Sequence, residues 1–502
     1  MFWKIAMLSL FFILTIGIGL YYRSASKSAG DFVLGGRNVG PWLSAFAYGT
    51  TYFSATIFIG YSGQFGWSYG VSAFWIGIGN ALIGSLLAWV LLGRRTRIMT
   101  KALNTATMPD FFAKRYGSGA IKIAASIIIF IFLIPYTASV YKGLSGLFSA
   151  CFGIDFIYCI VGMAVLTAIF VIAGGYMGTA VNNFIQGIIM LVGIVLMIIG
   201  VLNANGGFSS SMAMLSKFSS EAAPELNGAY TSMFGPDPLG LLSVVLLTSL
   251  GTWGLPQMVH KFYAIKNEQA IRTGTLISTI FALIIAGGSY FIGAFGRLFW
   301  TEETVVFDKI IPNMITSSLP DVMIGLILLV VLSASISSLA SLVITSSSTF
   351  VSDFLKAIKP KAFGGKHELP IIRVMCAGFI IISVLIAIIP NSLITTLMSL
   401  SWGALSGAFL GPFIYGLFWK RTTKLSVWVS MISGVGIVMA NYFIKFTTPT
   451  IAGSAAMIFS LIIVPLVSLI TPKPNKTAVD KMFSCYDEKV VAPSIDVLEE
   501  TK

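Results

Sequence analysis

The chain has 502 residues, 56% of them hydrophobic and only 10% charged, with a formal net charge of +13. Apolar runs of about 20 residues recur from end to end, as hydrocarbon-spanning helices require, so a soluble globular domain is excluded. Backbone amides cannot be left unpaired in lipid and the runs lack the short alternating pattern of a barrel, so the fold class is an all-α polytopic membrane protein.

In chain order, apolar runs and polar breaks predict about thirteen helices, near 4–22, 41–66, 71–93, 121–148, 156–173, 180–203, 236–258, 272–296, 321–350, 372–389, 392–418, 424–445 and 449–471. The first run has no small-residue cleavage site and is long enough to span, so it reads as a retained helix. Alternate loops carry the basic residues: Arg23, Lys27 and Arg37, then Arg94, Arg95, Arg97, Lys101, Lys114 and Arg115, then Lys261, Lys266 and Arg272. Lys356, Lys359, Lys361, Lys366 and Arg373 follow, then Lys420, Arg421, Lys424 and the tail. The positive-inside rule makes that side cytoplasmic, with the amino terminus outside and the carboxyl terminus inside a cell membrane, an inner membrane if the source is prokaryotic. The surplus charge thus reports topology, and no nucleic-acid partner is expected.

Cys151, Cys159, Cys376 and Cys485 have no metal-like spacing, and His260 and His367 fall in predicted cytoplasmic loops, so no His-based metal or acid–base centre is expected. There is no Gly-Lys phosphate loop, which argues against ATP-driven transport. All nineteen acidic residues fall in predicted loops or at helix ends, leaving Lys142 as the ionisable side chain within a helix. A proton relay commonly needs a titratable group inside the membrane, so proton coupling is disfavoured. An enzyme is disfavoured for the same reason.

More than half of the residues in "LSASISSLASLVITSSSTF", 332–350, are serine or threonine, although hydropathy marks the stretch as spanning. Ala334, Ser337 and Ser338 have i, i+3, i+4 spacing, so one carbonyl and two hydroxyls can face a single point, as a hard monovalent cation would need. Hydroxyls bonding back to their own helix, or easing helix packing, account for the same pattern. A second stretch, "GTTYFSATIFIGYSG" at 49–63, is rich in Gly, Ser and Thr and would unwind readily.

Together these two stretches, with "DFVLGGR" at 31–37, "TMPDFFAKRYG" at 107–117, "AGGYMGTAVNNFIQG" at 173–187, "WGLPQ" at 253–257 and "SSLAS" at 337–341, resemble the sodium:solute symporter family over about residues 30–420. The resemblance implies a LeuT-like fold with two inverted five-helix repeats, at 41–203 and 236–418. An N-terminal helix and loop (1–40), an extracellular loop (204–235), two C-terminal helices (419–471) and a cytoplasmic tail (472–502) complete it. The polar, Pro-containing tail is expected to be mobile.

The resemblance also implies sodium as the coupling ion, held by the carbonyls of Thr50, Phe53 and Ala334 and the hydroxyls of Ser337 and Ser338, with Ser346, Ser347, Ser348 and Thr349 left to packing and vestibule lining. A second sodium site of some members has Asn183 in place of its aspartate and Ala340 in place of a hydroxyl, while Ser341 is retained, so one sodium per cycle is expected. Sugar carriers of the family place polar readers where this chain has Ile57, Leu255 and Pro256, so a small carboxylate-bearing solute is expected ahead of a sugar. A sodium/sugar symporter and a proton-coupled carrier of the same fold are the alternatives. Candidate solute-binding residues are Ser54, Asn80, Lys142, Trp253 and Gln257. Lys142 can attract an anion, or its stem can snorkel to headgroups.

Overall fold

The computed structural model describes residues 2–22, 28–34, 39–389 and 392–486. Arg23, Lys27, Arg37, the glycine-arginine end of the 31–37 motif and the tail beyond residue 486 lie outside the described residues. Among those described, the regular structure is helical, with one isolated bridge between Val39 and Ile265.

Among the described residues thirteen crossings follow in order. Span 1 is Phe2–Tyr21, and span 2 is Pro41–Tyr52 continued by 56–69. Span 3 covers 74–102, and span 4 is Gly119–Phe152. Residues 56–102 are helical almost without interruption, but about 70 Å of helix cannot cross a core about 30 Å thick only once. The reversal is at Gly70, whose φ of +63° suits glycine. Spans 5 and 6, Phe156–Ile172 and Gly175–Asn203, are divided by Gly175, with φ of 56° and ψ of −160°. Span 7 is Pro238–Leu250 continued by Pro256–Tyr263, and span 8 is Glu268–Ala294. Spans 9 to 13 are Asp321–Thr349, Glu368–Ile388, Ile394–Phe418, Lys424–Ile444 and Pro449–Ile470.

Spans 2 and 7 are both broken, and local chemistry explains each break. In "GTTYFSAT" the glycine, β-branched and serine residues weaken the helix, and Phe53 is extended at φ −107°, ψ 125°. In span 7 a turn at Gly251–Trp253 leads to an extended Leu255, and Pro256, which has no N–H to donate, begins the next segment. The two breaks lie five crossings apart. An odd separation places them in opposite orientations, as inverted repeats require.

Spans 2 and 3 pack on span 8 and meet both halves of span 7, making one bundle. Span 9 packs on spans 4, 6 and 10, and span 11 joins span 4 to spans 12 and 13, making a scaffold around the bundle. The loop between spans 6 and 7 carries a short helix, Phe208–Leu215, and a turn at Ala229–Thr231 that packs against Gly70.

Three sequence expectations are corrected. Span 7 runs past 258 to Tyr263, so His260 and Lys261, expected in an open loop, are buried on its last turn. Lys142 is therefore not the only ionisable side chain inside a helix. The first part of the tail is also not free: Lys476–Phe483 is a helix capped by Asn475. Lys420 pairs with Asp480 at 2.8 Å, Arg115 lies 5.1 Å from the Phe483 ring, and the Tyr486 hydroxyl donates to the Arg95 carbonyl at 3.2 Å. Phe483→Ala removes the largest buried apolar side chain of that helix, a loss of roughly 3 kcal/mol, and should make 476–486 sensitive to limited proteolysis while the spans stay resistant.

Candidate functional site

The break in span 2 leaves carbonyls with no helical partner, and span 9 passes beside it. The Ser337 hydroxyl oxygen lies 2.8 Å from the Thr50 carbonyl oxygen and 2.9 Å from that of Ala334. The Ser338 hydroxyl oxygen lies 3.1 Å from the Thr51 carbonyl and 3.4 Å from those of Thr50 and Phe53. Thr50, Phe53, Ala334, Ser337 and Ser338 are all fully buried. The structure thus links the five oxygens anticipated from sequence through the two hydroxyls, Ser337 to Thr50 and Ala334, and Ser338 to Thr50 and Phe53. They are neutral and hard, the donor set a sodium ion accepts and a softer transition metal does not prefer. Among the described residues no cluster of His, Cys, Asp and Glu could hold a metal instead.

The solute candidates divide. Ser54 stands in the break, buried, its Oγ accepting from the Thr56 amide at 3.3 Å and lying close to the Tyr136 hydroxyl. Asn80, also buried, accepts from the Ser249 hydroxyl at 3.0 Å, while its Nδ2 has no partner and lies near Tyr290. Aromatic rings cluster at the break: Tyr52 stacks on Phe53 with centroids 4.4 Å apart, and Trp402 lies 6.1 Å from Tyr52 and 5.7 Å from Tyr136. Gln257 is buried with an unpaired Oε1.

Trp253 differs from these, because its indole N–H donates to the Ile83 carbonyl at 2.9 Å and pins the span 7 break to span 3. Lys142 turns away from the break: its Nζ donates to the Ser392 hydroxyl at 2.9 Å and to the Ser392 carbonyl. It therefore ties span 4 to the start of span 11. Sequence reading missed Tyr52, Tyr136, Tyr290 and Trp402, since an aromatic residue within an apolar run has the same pattern whether it lines a site or fills the core.

Among the described residues three large cavities open on the face opposite the basic loops, one of them, about 720 Å³, among spans 11, 12 and 13. Another, about 740 Å³, is lined by Gln64, Phe65, Tyr69, Arg297, Thr395 and Ser399 and stops where Tyr61 and Ser399 hydrogen bond at 2.8 Å and Thr395 bonds to Gln64. The third, about 890 Å³, is lined by Lys142, Trp300, Asp308 and Ser392 among others. Asp308 stands on an amphipathic helix, Phe307–Ser318, that precedes span 9. Burial raises its carboxyl from the ordinary 3.8 to about 6, partly offset by the Ile394 amide at 3.2 Å and by nearby Lys142. A carboxyl whose folded pKa exceeds its unfolded value stabilises most when protonated, so its contribution falls as pH rises from about 4 to about 6. Asp308→Asn should remove that loss, on the order of 2 kcal/mol, which flattens the dependence of the melting temperature on pH between 4.5 and 7.

Thirteen helical crossings among the described residues, with two broken spans in opposite orientations and buried neutral oxygens clustered at one break, make the architecture of a secondary transporter. The family profile described as the sodium:solute symporter family matches residues 32–434, and the chain belongs to that family, whose members couple solute movement to sodium. It is 27% identical to the sodium/proline symporter of Staphylococcus aureus over 518 residues, covering 96% of each chain. Sodium/proline symporter 2 of Staphylococcus saprophyticus is 27% identical over 447 residues, covering 86% of this chain and 84% of the relative. Among solved structures, a Na⁺-coupled sialic acid symporter in a substrate-bound outward-open state superposes with a TM-score of 0.74 at 18% identity, covering 95% of this chain and 99% of that one. Mhp1, a nucleobase-cation-symport-1 family transporter, superposes at 0.52 with 16% identity, covering 90% and 97%. The fold is thus the LeuT-like one, and the protein is a multi-pass sodium-coupled symporter.

Proposed function

We propose that the solute is a small zwitterionic amino acid, proline first, carried inward with one sodium ion bound by Thr50, Phe53, Ala334, Ser337 and Ser338. The observation that carries this reading is that, among the described residues, no charged side chain joins the buried aromatic cluster at the break. Among the described residues the buried Lys, Arg, Asp and Glu side chains are engaged elsewhere: Lys4 with Asp321, Arg97 with the Ile265 carbonyl, Arg115 with the Gly416 carbonyl, Lys261 with Ser341, and Asp353 with Lys122. A net anion would need a fixed positive partner there, and Lys142 does not supply one. A zwitterion needs none, because its carboxylate can meet the amino end of the 56–69 segment and its ammonium the ring faces of Tyr136 and Trp402. The near-full-length similarity to two sodium/proline symporters favours the same class.

The mechanism rests on competition for carbonyls. Without sodium the Ser337 and Ser338 hydroxyls donate to the very carbonyls that would hold the ion. When sodium enters, those protons turn away and the hydroxyl lone pairs join the carbonyls around it. The ion then fixes the end of Pro41–Tyr52 against span 9, which sets the break for solute. Rocking of the bundle (spans 2, 3, 7 and 8) against the scaffold would separate the two halves of the ion site and release both cargoes toward the basic face, which we propose is cytoplasmic.

Purified protein in liposomes tests the solute assignment. With an inward sodium gradient, labelled L-proline should accumulate, and excess unlabelled proline should compete while sialic acid, pantothenate, pyruvate and glucose do not. Accumulation of one of those four in place of proline would overturn the assignment. A cysteine at Lys445, between spans 12 and 13, should react with an impermeant maleimide on intact cells. Protection there until lysis would invert the proposed orientation.

A further inference from the structure

Each broken span has an inner half whose direction the outer half no longer fixes. Phe53 and Leu255 are extended at the breaks, and a few residues at the ends of helices are where hinge motion is absorbed. The inner half of span 2, Pro41–Tyr52, carries the Thr50 carbonyl of the proposed ion site, while that of span 7, Pro256–Tyr263, carries the solute candidate Gln257. If the two inner halves swung separately, sodium could cross without solute and dissipate its gradient.

The structure joins them on the basic face, at the ends remote from the breaks. Val39, just before span 2, and Ile265, just after span 7, form the parallel bridge. The Val39 amide donates to the Ala264 carbonyl and the Lys266 amide to the Val39 carbonyl, each at 3.3 Å, and the Ser44 hydroxyl donates to the same Val39 carbonyl at 3.1 Å. Those bonds are long and neutral. Arg97, on the continuation of span 3, adds a shorter one, from its Nε to the Ile265 carbonyl at 2.6 Å. Hydrogen bonds from an ionised donor are roughly twice as strong as neutral ones, so the guanidinium is the strongest of these links. Arg97 is 0% exposed, a placement arginine rarely takes unless its donors are engaged.

Two further contacts extend the joint in opposite directions. Toward the ion site, Tyr48 of span 2 stacks on Phe262 of span 7 with centroids 5.4 Å apart, and both meet Trp89 of span 3 edge-on, at 5.5 and 5.1 Å. The Tyr48 hydroxyl also donates to the Gly84 carbonyl of span 3 at 2.7 Å. Toward the scaffold, Val39 and Ala264 pack with Tyr176 and Ala180 of span 6 in a small apolar cluster separate from the main core. That seat can part without disturbing the core.

From this we infer that Arg97 is a positioning residue for coupling: by holding the end of span 7 against the start of span 2, it makes the ion-bearing and solute-bearing half-helices leave span 6 together. The inference rests on the symport reading and names the residue that keeps that symport tight. With the Ile265 carbonyl released, the inner half of span 2 moves alone, and the ion site opens to the basic face with no solute bound.

Labelled sodium entry into proteoliposomes, measured without solute and again with labelled proline, tests this. Wild type should admit little sodium unless proline is present. Arg97→Met keeps most of the side chain's bulk and removes its donors. It should raise solute-free sodium entry roughly ten- to a hundredfold, the factor that one hydrogen bond from a charged group is worth, and should raise the number of sodium ions moved per proline. Arg97→Lys keeps a donor and should bring both quantities back toward wild type. Ser44→Ala removes a single neutral hydrogen bond from the same bridge, should raise the solute-free entry roughly three- to tenfold, and serves if Arg97→Met does not fold. The solute-free measurement does not depend on which solute is carried. Sodium entry as tightly solute-dependent as in wild type, in both Arg97→Met and Ser44→Ala, would overturn the inference and leave the symport reading standing. A fall in the number of active transporters at an unchanged sodium-to-proline ratio, the signature of a purely structural role, would overturn it as well, and so would a leak in Arg97→Lys equal to that of Arg97→Met. Sodium-independent uptake of proline by wild type would instead remove the symport reading on which the inference stands.

Discussion

Replacing both Ser337 and Ser338 by alanine should raise the half-saturating sodium concentration at least about a hundredfold, and so abolish accumulation at ordinary sodium levels. A hydrogen-bonding group that serves a charge is worth about 1.5–3 kcal/mol, so losing two removes about 3–6 kcal/mol from ion binding. Each single substitution should cost roughly ten- to a hundredfold. The helix itself should survive, because alanine is the better helix former and both side chains point at the break, not at lipid. Uptake measured against sodium concentration, with correct folding checked by thermal melting, reads the effect. An unchanged sodium dependence in the double variant would remove these hydroxyls from the coupling site.

The second large effect concerns assembly. Gly66 of span 2 and Gly293 of span 8 meet backbone on backbone: a β-carbon on Gly66 would lie 2.2 Å from the Gly293 carbonyl carbon, and one on Gly293 would lie 2.0 Å from the Ser62 carbonyl oxygen. The Ser62 hydroxyl also donates to the Ser289 carbonyl across the same crossing. Small residues are what let membrane helices approach this closely. Gly66→Leu adds a branched side chain where the obstruction is main chain, which no rotamer change relieves. Overpacking costs typically about 1–3 kcal/mol where side chains can adjust, and more is expected here. The variant should lose its monodisperse peak in detergent, whereas substitution of Gly436, which has open space around its β-carbon position, should leave it intact.

Much of this architecture is legible in the sequence, for physical reasons that differ by feature. The crossings are readable because lipid demands long apolar runs, and the span 2 break because its residues disfavour a helix. The proposed ion site is legible through the family resemblance of the 49–63 and 337–341 motifs; helical spacing adds only that Ala334, Ser337 and Ser338 can share a face. Lys261 illustrates the opposite case. A basic residue beyond an apolar run satisfies the positive-inside pattern equally well in an open loop or on a buried turn, and only the path of the chain after Pro256 distinguishes them. Lys142 was placed in the right helix, but the direction of its long side chain depends on Ser392, far away in sequence. The docked helix at Lys476–Phe483 is polar in composition, and it and the turn after it are held by Arg95 in span 3, Arg115 on the helix Met108–Tyr116 and Lys420 after span 11, contacts that no local pattern records.

The central claim is that sodium at the span 2 break and solute beside it are energetically coupled. Proline affinity of the wild-type protein, measured by binding at saturating sodium and again with sodium replaced by choline, tests this most directly. Sodium should tighten proline binding, and by linkage proline should tighten sodium binding by the same factor. Equal proline affinity under both conditions, with Ser337 and Ser338 intact, would contradict the account.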